Sequence, residues 1–189
     1  MADYYHVAGL SLEEIEARLA SYTPDSRWAH DRWILIAIQE AVAGAKEGNF
    51  AVGACLVDAS GRVVQRAHNQ MFYPYFRSDL HAEMNVMTKF ETRRKNIGGL
   101  REFSLFTSLE PCPMCVVRLI TAGVGKIYHA VPDVESGMAA TLERLTPVWV
   151  QLAQRLEFAE ADCSPELKDL AMQAWLVTAN DRQAKVGQR

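Results

Sequence analysis

Two short runs carry side chains able to do chemistry: His81-Ala82-Glu83 and Pro111-Cys112-Pro113-Met114-Cys115. Cysteines three apart on a helix share one face, so both thiolates can reach one metal ion. Prolines at 111 and 113 suit a helix start, where the first N–H groups have no intrahelical acceptor to lose. A helix N-terminus also lowers a thiol pKa and favours the thiolate that binds metal. Taken alone, the C-x-x-C run fits a redox pair or half of a four-ligand structural zinc site. The chain has no second C-x-x-C, which excludes a closed four-cysteine site.

Adding His81 changes the chemistry. The positive end of a helix dipole disfavours imidazolium and leaves a ring nitrogen free for zinc. Three protein ligands leave the fourth tetrahedral position for water, the arrangement of a catalytic zinc. Zinc brings the pKa of such a water towards about 7. Glu83, two residues from the histidine, can accept the water proton and deliver it to a leaving amine. The expected site is one zinc per chain on His81, Cys112 and Cys115, with Glu83 as proton carrier. The bland alternatives are a capping histidine and an ordinary first-turn acid. Cys55, in an apolar strand-like run, and Cys163, beside a helix start, read as inert thiols.

The elements that must position these groups follow from periodicity. Residues 11–20 read as a short amphipathic helix outside the main pattern. A longer helix is expected from about Arg27 to Lys46, with Ile34, Ile38, Ala41 and Ala45 at helical spacing. Strand-like runs at 51–58 and 62–68 flank the turn Ala59-Ser-Gly. After an aromatic loop, a second main helix is expected to open near Ser78 or Asp79 and to face Leu80, Met84 and Met87 to the core. A strand at 102–107 leads through the cysteines into a helix ending at Gly123. A strand over 126–131 follows, then a helical stretch over 137–156 broken at Thr146-Pro147. A last strand begins near 156, and 165–178 reads as the closing helix, with the last ten residues frayed. Alternating strands and helices imply a layered α/β fold with some parallel pairing. The expected divisions are an N-terminal extension (1–26), a single catalytic domain (27–180) and a flexible tail (181–189).

Composition agrees with one α/β domain: 189 residues, 49% hydrophobic, 23% charged, formal net charge −3. That balance does not suggest a strongly basic nucleic-acid binder. The start, Met1-Ala-Asp-Tyr-Tyr-His, has no basic region leading into an apolar run, and no stretch reaches bilayer-spanning length. A cytoplasmic protein without membrane contact is expected.

Together these residues resemble the cytidine deaminase-like superfamily, whose signature is the H-x-E and P-C-x-x-C pair. The similarity is greatest to its branch of tRNA adenosine, guanine and fungal-type cytosine deaminases. It runs over about 29–178 and includes Phe50-Ala-Val-Gly-Ala, Asn69, His81-Ala-Glu, Ser108-Leu-Glu-Pro-Cys-Pro-Met-Cys and Ser136-Gly-Met-Ala. The resemblance implies a three-layer α/β/α fold with a five-stranded mixed sheet, and zinc between two helix starts. It also implies substrate contacts at Asn69, Val52, Gly53 and Ala82. A turn asparagine is the plainer reading of Asn69. Departures from the family pattern are Arg77-Ser-Asp-Leu before the H-A-E and Val116-Val117-Arg118 after the second cysteine. Arg118 is expected to face either a subunit interface or the pocket.

The expected reaction converts an amino-substituted nucleobase, nucleoside or related aminoheterocycle to its oxo form with release of ammonia. Adenosine in tRNA is the alternative substrate. It calls for a concentrated cationic face, whereas 164–178 holds Glu166 and Asp169 against Lys168, and Arg93-Arg94-Lys95 reads as a dipole-matched helix end. A non-catalytic zinc subunit is a further alternative, although such a site needs no Glu83. A homodimer is expected, because a helix bearing Val116, Val117, Leu119 and Ile120 asks for cover on several sides.

Overall fold

The computed structural model describes residues 9–94 and 98–189. The readings that fell on Met1–His6 and on Lys95 lie outside the described residues.

The chain runs α1 (Leu12–Ser21), α2 (Asp31–Lys46), β1 (Gly53–Val57), β2 (Val63–His68), α3 (Ala82–Arg93), β3 (Ser104–Leu109) and α4 (Pro113–Ala122). It continues through β4 (Lys126–Val131), a 3₁₀ turn (Ala139–Arg144), α5 (Pro147–Ala153), β5 (Glu157–Glu160) and α6 (Pro165–Gly187). One mixed sheet has the order β2-β1-β3-β4-β5. The β1–β2 turn makes those strands antiparallel, and β1 is also antiparallel to β3. Helical crossovers make β3, β4 and β5 parallel. Helices α2 and α6 pack on each other and on the sheet, with α1 against both; α3 and α4 pack together, and α5 lies on α4. This is the expected three-layer α/β/α arrangement.

The apolar pattern explains the layers. Ile34, Ile38, Ala41 and Ala45 of α2 are buried as their spacing requires, and Ile15 and Leu19 fasten α1 to the same core. A capping box starts α1: Ser11 Oγ accepts from the Glu14 N–H, and the Glu14 carboxylate accepts from the Ser11 N–H. Gly123, in the left-handed region at φ 69°, ends α4 where expected.

Several boundaries move, each for a local reason. Helix α2 begins at Asp31 rather than near Arg27, because residues 25–28 close a separate turn (Trp28 N–H to Asp25 O) and the Asp31 N–H reaches Trp28 O instead of Arg27 O. Helix α3 begins at Ala82, since the Leu80 carbonyl is taken by the Gln70 N–H and residues 77–80 form a turn. Its core face is therefore Ala82, Val86, Met87 and Phe90, with Leu80 and Met84 only half-buried. Strand β3 is displaced to Ser104–Leu109, in register with β4 from Ser104 opposite Lys126.

The largest departure is at the C-terminus. Helix α6 does not stop at 178 but runs on to Gly187. Residues 181–186 (Asp-Arg-Gln-Ala-Lys-Val) contain no breaker, and Asp181 pairs with Lys185 one turn on. The guanidinium of Arg189 then lies 3.6 Å from the ring centroid of Phe76, tying the helix end to the aromatic loop.

Candidate metal centre and its pocket

Two helix N-termini meet at the site. His81 is the N-cap of α3, Cys112 is the N-cap of α4, and Cys115 is the third residue of α4. Both caps have extended backbone, which turns their side chains towards one point rather than along the helices. The ring nitrogen Nδ1 of His81 lies 3.5 Å from Cys112 Sγ and 3.7 Å from Cys115 Sγ, and the sulfurs are 3.8 Å apart. Tetrahedral zinc with Zn–S near 2.3 Å and Zn–N near 2.0–2.1 Å separates its donors by roughly 3.5–3.8 Å. The three donor atoms have the spacing that one zinc ion requires. Among the described residues they are the one His/Cys/Asp/Glu group close enough to hold a metal.

Glu83 stands beside this triad but outside it. The carboxylate is buried, and its Oε2 accepts from Cys115 Sγ at 3.4 Å. Burial, with the Cys112 thiolate nearby, raises its pKa above the ordinary carboxylate range. The hydrogen-bonded contact with Cys115, helped by His81, pulls the Cys112 thiol down to about 4, against the cost of burial. Cys115 moves the other way, raised by its sulfur contact with Cys112 and by its own burial. Without a metal, burial lowers the His81 pKa, but the bond and charge of Cys112 outweigh it and the net direction is upward.

A cavity of about 290 Å³ opens over these groups. Of the sequence-derived substrate contacts, Asn69 and Val52 line it. Asn69 serves as a turn residue as well: its Oδ1 accepts from the Met71 N–H at 3.0 Å, while its own N–H donates to Val52 O. Gly53 and Ala82 are not in the wall. The Gly53 N–H donates to Ser108 Oγ, and a Cβ at that position would sit 2.2 Å from the Ala37 carbonyl, so this glycine lets α2 lie against β1. Ala82 is fully buried in the first turn of α3.

The rest of the wall escaped sequence reasoning. Phe50 and Met71 flank Val52 and Asn69. Leu109, Glu110, Asp133 and Ser136 close the end of β3 and β4, and Trp175, Gln183 and Val186 come from α6. Glu110 and Ser136 stood inside quoted family segments, which was the available signal; nothing local marked the α6 residues. Glu110 is buried, and its two oxygens accept from the N–H groups of Asp133 and Ala140. A Cβ on Gly137 would lie 2.4 Å from the same carboxyl, so glycine there lets the loop close onto Glu110. Arg118 is absent from the pocket wall and pairs with Glu91 of α3. The aromatic loop divides its roles: Met71 lines the cavity, Phe72 packs on Phe50 and Phe76, and Tyr73 and Tyr75 are exposed.

The fold and donor set define a zinc-binding α/β protein with a pocket over its metal centre. Residues 28–131 match the cytidine and deoxycytidylate deaminase zinc-binding region, and the chain belongs to that family. It is similar to the tRNA-specific adenosine deaminase of Bacillus subtilis (34% identity over 109 residues, 58% of this chain and 66% of that one). It is also similar to the cytosine deaminase of Candida albicans (24% over 97 residues, 49% of this chain and 59% of that one). The matches thus span slightly under two thirds of each relative's length. In fold it matches the guanine deaminase of Nitrosomonas europaea, with a TM-score of 0.60 at 18% identity, covering 94% of this chain and 98% of that one. None of the described helices is long and apolar enough to cross a membrane.

Proposed function

We propose that the protein is a zinc-dependent hydrolytic deaminase of a small aminoheterocycle, and that His81, Cys112 and Cys115 hold its zinc. Zinc held there supplies a Lewis acid that brings the pKa of water towards about 7. Glu83, 3.4 Å from Cys115 Sγ and buried, takes the proton from the attacking water and returns a proton to the departing amine. The C–N bond breaks as C=O forms, so water is consumed and ammonia leaves. Asn69 and Val52 orient the ring, and Phe50, Leu109 and Trp175 exclude bulk water. Gly53 and Ala82 support the site through α2 packing and the first turn of α3 rather than through contact.

The observation that carries the small-molecule reading is the wall built by α6. Trp175, Gln183 and Val186 stand over the cavity, whose volume is at the small end of those that enclose small ligands, roughly 300–1,000 Å³. A tRNA loop would have to reach the metal centre past that helix. The identity to the Bacillus subtilis enzyme favours tRNA as the second reading. Ammonia release from free bases, nucleosides, nucleotides and folded tRNA separates them: turnover of a free base or nucleoside is expected, and turnover of folded tRNA alone would refute the reading.

A homodimer is part of the proposal, on family resemblance alone. The apolar faces of α4 do not demand it: Val116 and Ile120 are covered within the chain by Leu142, Leu145, Trp149 and Ala153. Light scattering should give twice the chain mass. A cytoplasmic setting fits four unpaired thiols.

A further inference from the structure

Asn85 is buried in α3, where the other buried positions beyond Glu83 are Val86, Met87 and Phe90. A leucine at this position would suit both the helix and the core, whereas a buried carboxamide is costly unless it is hydrogen-bonded. The side-chain N–H₂ of Asn85 is paired twice: it donates to the His68 carbonyl at 3.0 Å and to Gln70 Oε1 at 2.9 Å. These two acceptors stand on either side of Asn69 in the chain. Strand β2 is at the edge of the sheet. The planar peptide that gives its Asn69 N–H to Val52 O turns its His68 carbonyl the opposite way, off the sheet edge and onto Asn85. Two backbone bonds complete the frame: Gln70 N–H donates to Leu80 O at 2.9 Å, and Asn85 N–H donates to His81 O at 2.8 Å. The strand end that carries Asn69 is thus bonded at residues 80 and 85, and His81 and Glu83 lie between them.

We propose that Asn85 is a positioning residue that fixes Asn69 relative to Glu83. Both of those residues line the cavity, but they come from different elements, the end of β2 and the first turn of α3. Their separation is therefore set by contacts between the elements, and the Asn85 carboxamide makes two of them. A ring held by Asn69 then meets the metal centre at a distance fixed by α3, and a misplacement of about 1 Å costs roughly a hundredfold in rate. Asn85 itself is absent from the cavity wall, so its effect on the reaction passes through Asn69. This inference rests on the proposed roles of Asn69 as ring contact and Glu83 as proton carrier, and it holds for a small substrate or for tRNA.

The test is a double-mutant cycle on the zinc-loaded protein: wild type, Asn85→Leu, Asn69→Ala and the two combined. Ammonia release is followed with guanine, cytosine, adenosine, cytidine and folded tRNA as probes. Asn85→Leu should keep about one zinc per chain and lower kcat at least about tenfold with KM within about threefold, because the Asn69 carboxamide still binds the ring but misplaces it. In the Asn69→Ala background the same change should cost less than about twofold, since the residue it positions is gone. A second readout needs no turnover. The N–H groups of residues 69–71 are all hydrogen-bonded, and their exchange should quicken at least about tenfold in Asn85→Leu, the size of a lost bond to a buried acceptor, with exchange in α2 unchanged. If Asn85→Leu does not fold, Gln70→Ala takes its place in the same cycle: it removes one of the two acceptors at a half-buried position and should lower kcat about threefold. Losses that add, with Asn69→Ala itself impaired, would overturn the role of Asn85 and leave the ring-contact reading standing. Wild-type kinetics in Asn69→Ala would overturn that reading and the proposal with it. Wild-type exchange at 69–71 in Asn85→Leu would overturn the proposal whatever the kinetics.

Discussion

At the scale of single residues, the metal centre is held by local backbone geometry. Two N-caps and one first-turn thiol suffice, so a triad that joins distant elements can be read from i, i+3 spacing and one H-x-E run. Asn69 was legible for the same reason, as a strand-end turn residue that also reaches the cavity. Gly53 and Ala82, expected from the family resemblance as substrate contacts, lie behind the lining residues, Gly53 against α2 and Ala82 in the first turn of α3. Glu83→Gln should retain about one zinc per chain and lose at least about a hundredfold in kcat, read by metal analysis beside ammonia release. Zinc loss in that variant would mean the carboxylate is a ligand. Cys112→Ala should lose the metal, since two donors remain where three are spaced for it.

At the scale of elements, helix and strand identities followed from periodicity, whereas ends followed from partners that periodicity cannot see. The turn over 25–28 delays α2 and Gln70 delays α3. The length of α6 went unread for a different reason: its last turns are mostly polar (Asp181, Arg182, Gln183, Lys185), so no apolar stripe advertises them. Gly53→Ala should destabilise the α2–β1 contact by about 1–3 kcal/mol, because the clash is with helix backbone rather than a movable side chain. A thermal melt unchanged from wild type would contradict that packing. His68, at the end of β2, bonds Glu40 of α2 through Nδ1 and Glu47 through Nε2, and Arg66 also pairs with Glu40. Burial lowers its pKa, but the two carboxylates outweigh burial and raise it above 6.5. Its contribution to stability is then fully present below about 6.5, the unfolded value, and is lost as pH rises through the higher folded value. Urea midpoints of wild type and His68→Gln should differ more at pH 6 than at pH 8.5; an equal gap would refute the ion-pair account.

At the scale of the whole molecule, the sheet brings the ends of β3 and β4 beside the starts of α3 and α4, and α6 closes the remaining side. The catalytic half of this arrangement was legible from short motifs, and the enclosing half was not, because its residues come from six separate stretches between Phe50 and Val186. The metal donors come from two helix starts, while the C-terminal helix contributes Trp175, Gln183 and Val186 to the cavity wall. The central claim, that one zinc on His81, Cys112 and Cys115 is required for hydrolytic deamination, is tested most directly by adding zinc stepwise to metal-free protein while following ammonia release. Activity should rise from near zero and level off at about one zinc per chain, and Cys112→Ala should stay inactive throughout. Full activity in the metal-free protein, or in Cys112→Ala, would contradict the account.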